Sequence, residues 1–179
     1  MGMMSERKFV RALVTGSFDP VTVGHVDLIR RAAAIFDEVH VVIFFNTEKG
    51  AGMFPPEVRL SLLRAATESI PNVITGLSFG LVADYVTEHN INVIVRGVRG
   101  PAEYEYEMML SEINKKLTGG RVDIVVFPAS PEFGHVSSSF ARDMVKYGRP
   151  ELALTNETIA ELERLGGHKT FVEKGKANI

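Results

Sequence analysis

Five short apolar runs rich in β-branched residues punctuate the chain: Phe9 to Thr15, Val39 to Phe45, Val73 to Leu77, Val93 to Arg96 and Val122 to Phe127. Their length and residue types predict strands, because side chains branched at Cβ pack well on a pleated surface. Between them apolar residues recur at the period that lines one helix face. His25 to Phe36 carries Leu28, Ile29, Ala32 and Phe36; Glu57 to Ser69 carries Val58, Leu62 and Ala65/Ala66; Leu81 to His89 carries Val82, Tyr85 and Val86. A longer helix is expected from Pro101, a residue suited to a first turn, to Leu117, with Gly119-Gly120 ending it. Two more are expected at Ser138 to Tyr147 and Thr155 to Leu165.

Alternation of strand and helix predicts parallel strands joined by right-handed crossovers. The expected architecture is α/β: a Rossmann-like, doubly wound, five-stranded parallel sheet with helices on both faces. The near-continuous apolar character of HVVIFF and DIVVF fits strands covered on both sides. The 179 residues suit a single domain over 1-179, with a core from about 8 to 165 and a C-terminal extension over 166-179. Ligands in such folds sit beyond the carboxyl ends of the strands, where strand order reverses. The segments after strands one, two, four and five are therefore where chemistry is sought.

Composition narrows that chemistry. With no cysteine, thiol catalysis and cysteine-ligated zinc are excluded. A net charge of -2 lacks the basic excess of a nucleic-acid binder. MGMMSERK has no signal-peptide run, and no stretch of apolar residues is long enough to span a bilayer, so no membrane partner and a cytoplasmic location are expected.

After strand one, GSFDPVTVGH places Gly16 at a tight turn, Asp19-Pro20 in an extended turn and Gly24-His25 at the start of a helix, whose free N–H groups favour anions. After strand two, Lys49 lies in a glycine-containing loop; alone, a loop lysine is usually just solvated. After strand four, Arg96 and Arg99 flank Gly97 in RGVRGPAEYEYE, suited to phosphate oxygens or, equally simply, to ion pairs with Glu103, Glu105 or Glu107. Tyr104 and Tyr106 are expected to pack the helix. After strand five, PEFGHVSSSFARDM puts three serines before a helix carrying Arg142; capping explains one of them, not three. Gly167-His168-Lys169-Thr170 is no phosphate-binding P-loop, and neither His135 nor His168 has the partners of a metal cage. These loops are expected to converge on one cationic cradle shared by two phosphate-bearing ligands.

Together, GSFDPVTVGH, Lys49 in its loop, RGVRGPAEYEYE and VSSSFAR resemble the bacterial phosphopantetheine adenylyltransferase family of the nucleotidylyltransferase superfamily, in uninterrupted order from about Val10 to Leu165. The first and serine motifs are shared across the superfamily, class I aminoacyl-tRNA synthetases included. RG-x-R followed by E-Y-x-Y-E is particular to this family. The resemblance implies transfer of the adenylyl group of ATP to 4'-phosphopantetheine, giving dephospho-coenzyme A and pyrophosphate. It also implies Mg2+ as cofactor, with no residue assigned as its ligand, and a homohexamer; coenzyme A is a candidate feedback ligand.

The residue roles follow from the same resemblance. His25 would stabilise the transition state, aided by Lys49 and Arg99. ATP would be bound by Ser17, Phe18, His25, Gly97, Val98, Arg99, Glu107, Phe133, Gly134, His135, Val136, Ser137, Ser138 and Ser139, and the acceptor by Ser17, Lys49, Val82 and Arg96. Ser17 stands where the family commonly has threonine, and NTEKGAG departs from the usual loop around Lys49. An anionic phosphate acceptor needs no strong general base; it needs alignment and neutralisation of growing charge. The rival readings are a transferase with another acceptor, such as a nicotinamide mononucleotide adenylyltransferase or a cytidylyltransferase, and a silent nucleotide-binding module.

Overall fold

A computed structural model describes residues 7–45 and 52–167. Strands β1 (Arg11–Gly16), β2 (Glu38–Phe44), β3 (Val73–Ser78), β4 (Val93–Val98) and β5 (Asp123–Pro128) alternate with helices α1 (Val23–Ala33), α2 (Pro56–Thr67), α3 (Val82–Glu88) and α4 (Pro101–Leu117); α5 (Ser138–Lys146) and α6 (Asn156–Arg164) close the chain. All neighbouring strands are parallel, in the order β3-β2-β1-β4-β5. The chain winds outward from β1 to β3, then returns to β1's other side with β4. The reversal point lies between β1 and β4, so the segments following those two strands flank the crevice.

Residues alternate between the two faces, as a period of two requires. Ala12, Val14, Val39, Val41, Ile43 and Val95 join the larger core beneath α1, α2, α5 and α6. Leu13, Val42 and Ile94 join the smaller one with Val86 of α3, and α4 lies against α3, β4 and β5. His40, buried on the second face, is satisfied at both ring nitrogens by Tyr85 Oη at 2.9 Å and Glu38 Oε1 at 3.0 Å.

Several boundaries move from their expected places. β1 begins at Arg11 rather than Phe9, where the Val10 N–H turns to the Asp37 carboxylate at 2.8 Å instead of a neighbouring strand. α1 starts at Val23, two residues early, since Thr22 supplies the N-cap. β4 extends past Arg96 to Val98 because β5 stays in register through Arg96–Val126, Gly97–Phe127 and Val98–Pro128. That extension carries the first arginine to the sheet's upper rim. The loop holding Lys49, and most of the expected C-terminal extension, lie outside the described residues.

Candidate active site

The first motif turns sharply off β1. Phe18 adopts φ 41°, in the left-handed region that non-glycine residues rarely visit, and its side chain is buried. The ring presses under Gly16, where a Cβ would lie 3.1 Å from Phe18 Cε2, so a larger residue there would have to push the buried ring aside. Its edge also meets the His25 ring, with centroids 5.0 Å apart. Thr22 then caps α1: its Oγ1 accepts the His25 N–H at 3.3 Å, while its own N–H donates to His25 Nδ1 at 3.1 Å. This is a capping box with histidine in the place usually held by glutamate.

That hydrogen bond sets the chemistry of the ring. With Nδ1 accepting, a neutral imidazole must carry its proton on Nε2. Burial first, then the charges of Arg99 and Arg96, lower the His25 pKa from 6.5 to about 4. Near neutral pH the side chain is thus an uncharged N–H donor at a helix amino end.

At the rim of β4, Arg96 is braced on every side. Nε and Nη2 donate to the two oxygens of Glu107 at 2.7 and 2.6 Å, and Nη1 donates to Thr15 O at 2.8 Å and to Thr15 Oγ1. Arg99 donates through Nε to Glu103 Oε1 at 2.9 Å and through Nη2 to the same oxygen, with Nη1 reaching Val136 O at 3.4 Å. In α5, Ser137 caps the helix through the Phe140 N–H at 3.0 Å, Ser138 donates to Pro20 O at 3.3 Å, and Ser139 accepts from Arg142 at 2.9 Å. The three serines thus have three separate tasks.

These elements surround one cavity of about 640 Å³ whose walls include His25, Arg96, Arg99 and Ser137–Ser139. A cytidylyltransferase-like family model matches residues 13–144, spanning the first motif, both arginines and the serines. The phosphopantetheine adenylyltransferase of Corynebacterium diphtheriae is 41% identical over 138 residues, 77% of this chain and 86% of that protein. The chain belongs to the phosphopantetheine adenylyltransferases. A second member, from Symbiobacterium thermophilum, is 40% identical over 79% of this chain and 86% of its own. The fold extends further: Plasmodium falciparum nicotinic acid mononucleotide adenylyltransferase complexed with NaAD superposes with a TM-score of 0.64 at 14% identity, covering 90% of this chain and 98% of that one.

Within this adenylyltransferase, Ser17, Phe18, His25, Arg96, Gly97, Arg99, Glu107, Phe133, Val136, Ser137, Ser138 and Ser139 line the common cavity. Val82, Val98, Gly134 and His135, also expected at the site, are not among the described lining residues. Val82 packs against the second core cluster. Val98 serves the backbone, its carbonyl accepting the Ala129 N–H at 2.8 Å. Gly134 and His135 are exposed, the latter edge-on to Phe140. Both Glu107 oxygens are committed to Arg96. Of the expected cationic cradle, the described lining arginines Arg31, Arg96 and Arg99 face Asp27, Glu107 and Glu103, each in an ion pair.

Some wall residues escape the motifs. Asp27 Oδ2 accepts from Ser130 Oγ at 2.8 Å, and Arg31 Nη1 donates to Pro128 O at 2.8 Å, strapping α1 to the chain after β5. The i,i+4 spacing of Asp27 and Arg31 is readable in the sequence; their long-range partners are not. Thr22 carries a legible signal, a threonine three residues ahead of a polar residue at a helix start.

Proposed function

We propose that this chain transfers the adenylyl group of ATP to 4'-phosphopantetheine, forming dephospho-coenzyme A and pyrophosphate in coenzyme A biosynthesis. The observation that carries the reading is the meeting of His25, the two arginines and the serine-capped helix around one cavity. An oxygen of the acceptor phosphate attacks the α-phosphorus, the bond to the β-phosphate's bridging oxygen breaks, and pyrophosphate leaves with the electron pair. No proton need move, so no general base is needed. His25 Nε2–H donates to the transferring group where charge grows, a role that calls for a donor fixed in advance. The amino ends of α1 and α5, Arg99 and the serines hold the ATP phosphates; Ser17, Lys49 and Arg96 hold the acceptor.

Magnesium enters this reading with the nucleotide. Among the described residues no group of three acidic or histidine side chains could hold a metal, and two of the three carboxylates on the cavity wall already grip arginines side-on. Such a donor set suits an ion carried on triphosphate oxygens rather than a resident one. Coenzyme A, which shares the product's skeleton, would act as feedback ligand in the same cavity.

Self-association completes the proposal. Tyr106, Met109, Ile113 and Leu117 form an exposed apolar stripe along α4, beside the edge strand β5. A stripe of that kind favours burial against another copy, and a homohexamer is the assembly we propose, in the cytoplasm; no helix among the described residues is long and apolar enough to cross a membrane. The test of function is incubation with ATP, magnesium and 4'-phosphopantetheine, followed by mass detection of dephospho-coenzyme A. Product with that acceptor and none with nicotinamide mononucleotide is the expected result; nucleotide binding without pyrophosphate release would leave a silent module.

A further inference from the structure

Asp19 belongs to the first motif but does not line the cavity. It is buried, and an ionised carboxylate is costly in such a place unless fully paired. Its pairing is complete. Oδ2 accepts the Met53 N–H at 2.9 Å and Oδ1 accepts the Phe54 N–H at 2.9 Å. Arg59 Nε stands 3.2 Å from Oδ1 and Arg142 Nη1 3.8 Å from Oδ2. A Cβ on Gly52 would fall 2.4 Å from Asp19 Oδ2, so that backbone passes directly over the carboxylate.

The two guanidiniums reach further, and both reach cavity residues. Arg59 Nη1 donates to Ser17 O at 3.3 Å. Arg142 donates to Asp19 O at 2.9 Å and to Ser139 Oγ at 2.9 Å. Ser17 and Ser139 lie on the cavity wall. One carboxylate thereby ties the turn after β1, the chain leading into α2 and the start of α5 into a single unit. Stability alone does not call for this arrangement, because a buried ion pair is often no better than apolar side chains of similar volume. Held geometry does call for it.

We propose that Asp19 is a positioning residue for nucleotidyl transfer: it fixes Ser17 and Ser139 relative to each other, and with them the alignment of the two phosphate-bearing ligands. This rests on the transfer reading above. Asp19→Asn keeps size but sets an amide against N–H donors and guanidiniums. Arg142→Gln, at a side chain 31% exposed, removes the guanidinium that joins Asp19 to Ser139 and leaves the Arg59 arm to Ser17 in place.

Both variants are assayed by pyrophosphate release, with active sites counted by ATP-binding stoichiometry and folding followed by circular dichroism and thermal melting. Misplacement on the scale of an ångström costs about a hundredfold in rate. Asp19→Asn is therefore expected to lose about a hundredfold in kcat per active site, and Arg142→Gln about tenfold, with KM for ATP within about threefold of the parent in each. A folded Asp19→Asn with kcat per site within about threefold of the parent would overturn the inference, leaving Asp19 a stabilising residue only. If Asp19→Asn does not fold, Arg142→Gln decides, and parent-like kcat there overturns it equally. A parent protein that releases no pyrophosphate sinks the transfer reading and this inference with it.

Discussion

Replacing His25 separates three things the ring does. In His25→Ala the cavity loses its Nε2–H donor, and the Thr22 N–H loses the acceptor it meets at 3.1 Å. Loss of one preorganised donor costs about two to three orders of magnitude in kcat, or ~2.7–4 kcal/mol of barrier. Loss of the cap partner costs about 1 kcal/mol of stability. The third effect depends on pH. The folded-state pKa of about 4 lies below the unfolded 6.5, so the unfolded chain takes up the proton first. Stability therefore falls as pH drops from about 6.5 to about 4, then stays level with respect to this group. The full shift corresponds to about 3 kcal/mol, which water in the cavity reduces to about 2 kcal/mol. His25→Asn isolates this effect, since its side-chain oxygen can still accept the Thr22 N–H while nothing titrates. Urea unfolding at pH 7.5, 5.5 and 4.5 should show the parent losing stability on acidification faster than His25→Asn, and that variant should still bind ATP while turning over about a hundredfold more slowly. Parallel losses of stability, or near-normal turnover in either variant, would refute the picture of a half-buried neutral donor.

Three further outcomes are expected. Arg96→Ala should mainly weaken acceptor binding and Arg99→Ala mainly ATP binding, as read by calorimetry; the reverse pattern breaks the division of the cavity. Glu107→Ala strands the partly buried guanidinium of Arg96, which keeps only its Thr15 contacts, and should lower the urea-unfolding free energy by about 1–3 kcal/mol. Gly97→Ala would bring a Cβ within 3.1 Å of Leu28 Cδ2; because that methyl is a flexible end on the cavity wall, the variant should fold normally and raise KM for ATP several-fold.

Much of the frame could be read from spacing. Five apolar runs separated by helical periodicity leave few topologies, and the right-handed crossover rule removes most of those. Much that the chain carries locally was also legible: a helix entry near Gly24-His25, though its true cap is Thr22, the paired glycine and arginines at the rim of β4, and the serine cap of α5. Partners distant in sequence were not. Arg142 meets Asp19 across 123 residues and Ser130 meets Asp27 across 103; no window of sequence contains both members of either pair. The commitment of Glu107 to Arg96 was among the options that spacing allowed, but only the extension of β4 to Val98 brings the arginine's Nε edge onto α4. Val82, which the resemblance puts beside the acceptor, stands partly buried against the second core cluster and is not among the residues lining the described cavity.

The pairing of every lining arginine with a lining carboxylate changes how the site must work. Net positive charge cannot be what gathers two anions from the described walls, since Arg31, Arg96 and Arg99 are matched by Asp27, Glu107 and Glu103. Direction remains available. Glu103 grips Arg99 along its Nε and Nη2 edge, and a guanidinium has five donors in a planar fork, so the end-on edge between Nη1 and Nη2 is left with hydrogens to give. The carboxylate then removes little binding capacity while fixing a long side chain that would otherwise lose rotamer freedom when a ligand arrives. The same logic runs through His25, uncharged but aimed by Thr22, and through the serines, each tied by a separate bond. A site built of aimed N–H and O–H groups favours the arrangement in which charge has spread over the transferring group more than it favours either anion at rest, and that preference for the transition state over the ground state is what accelerates the chemical step.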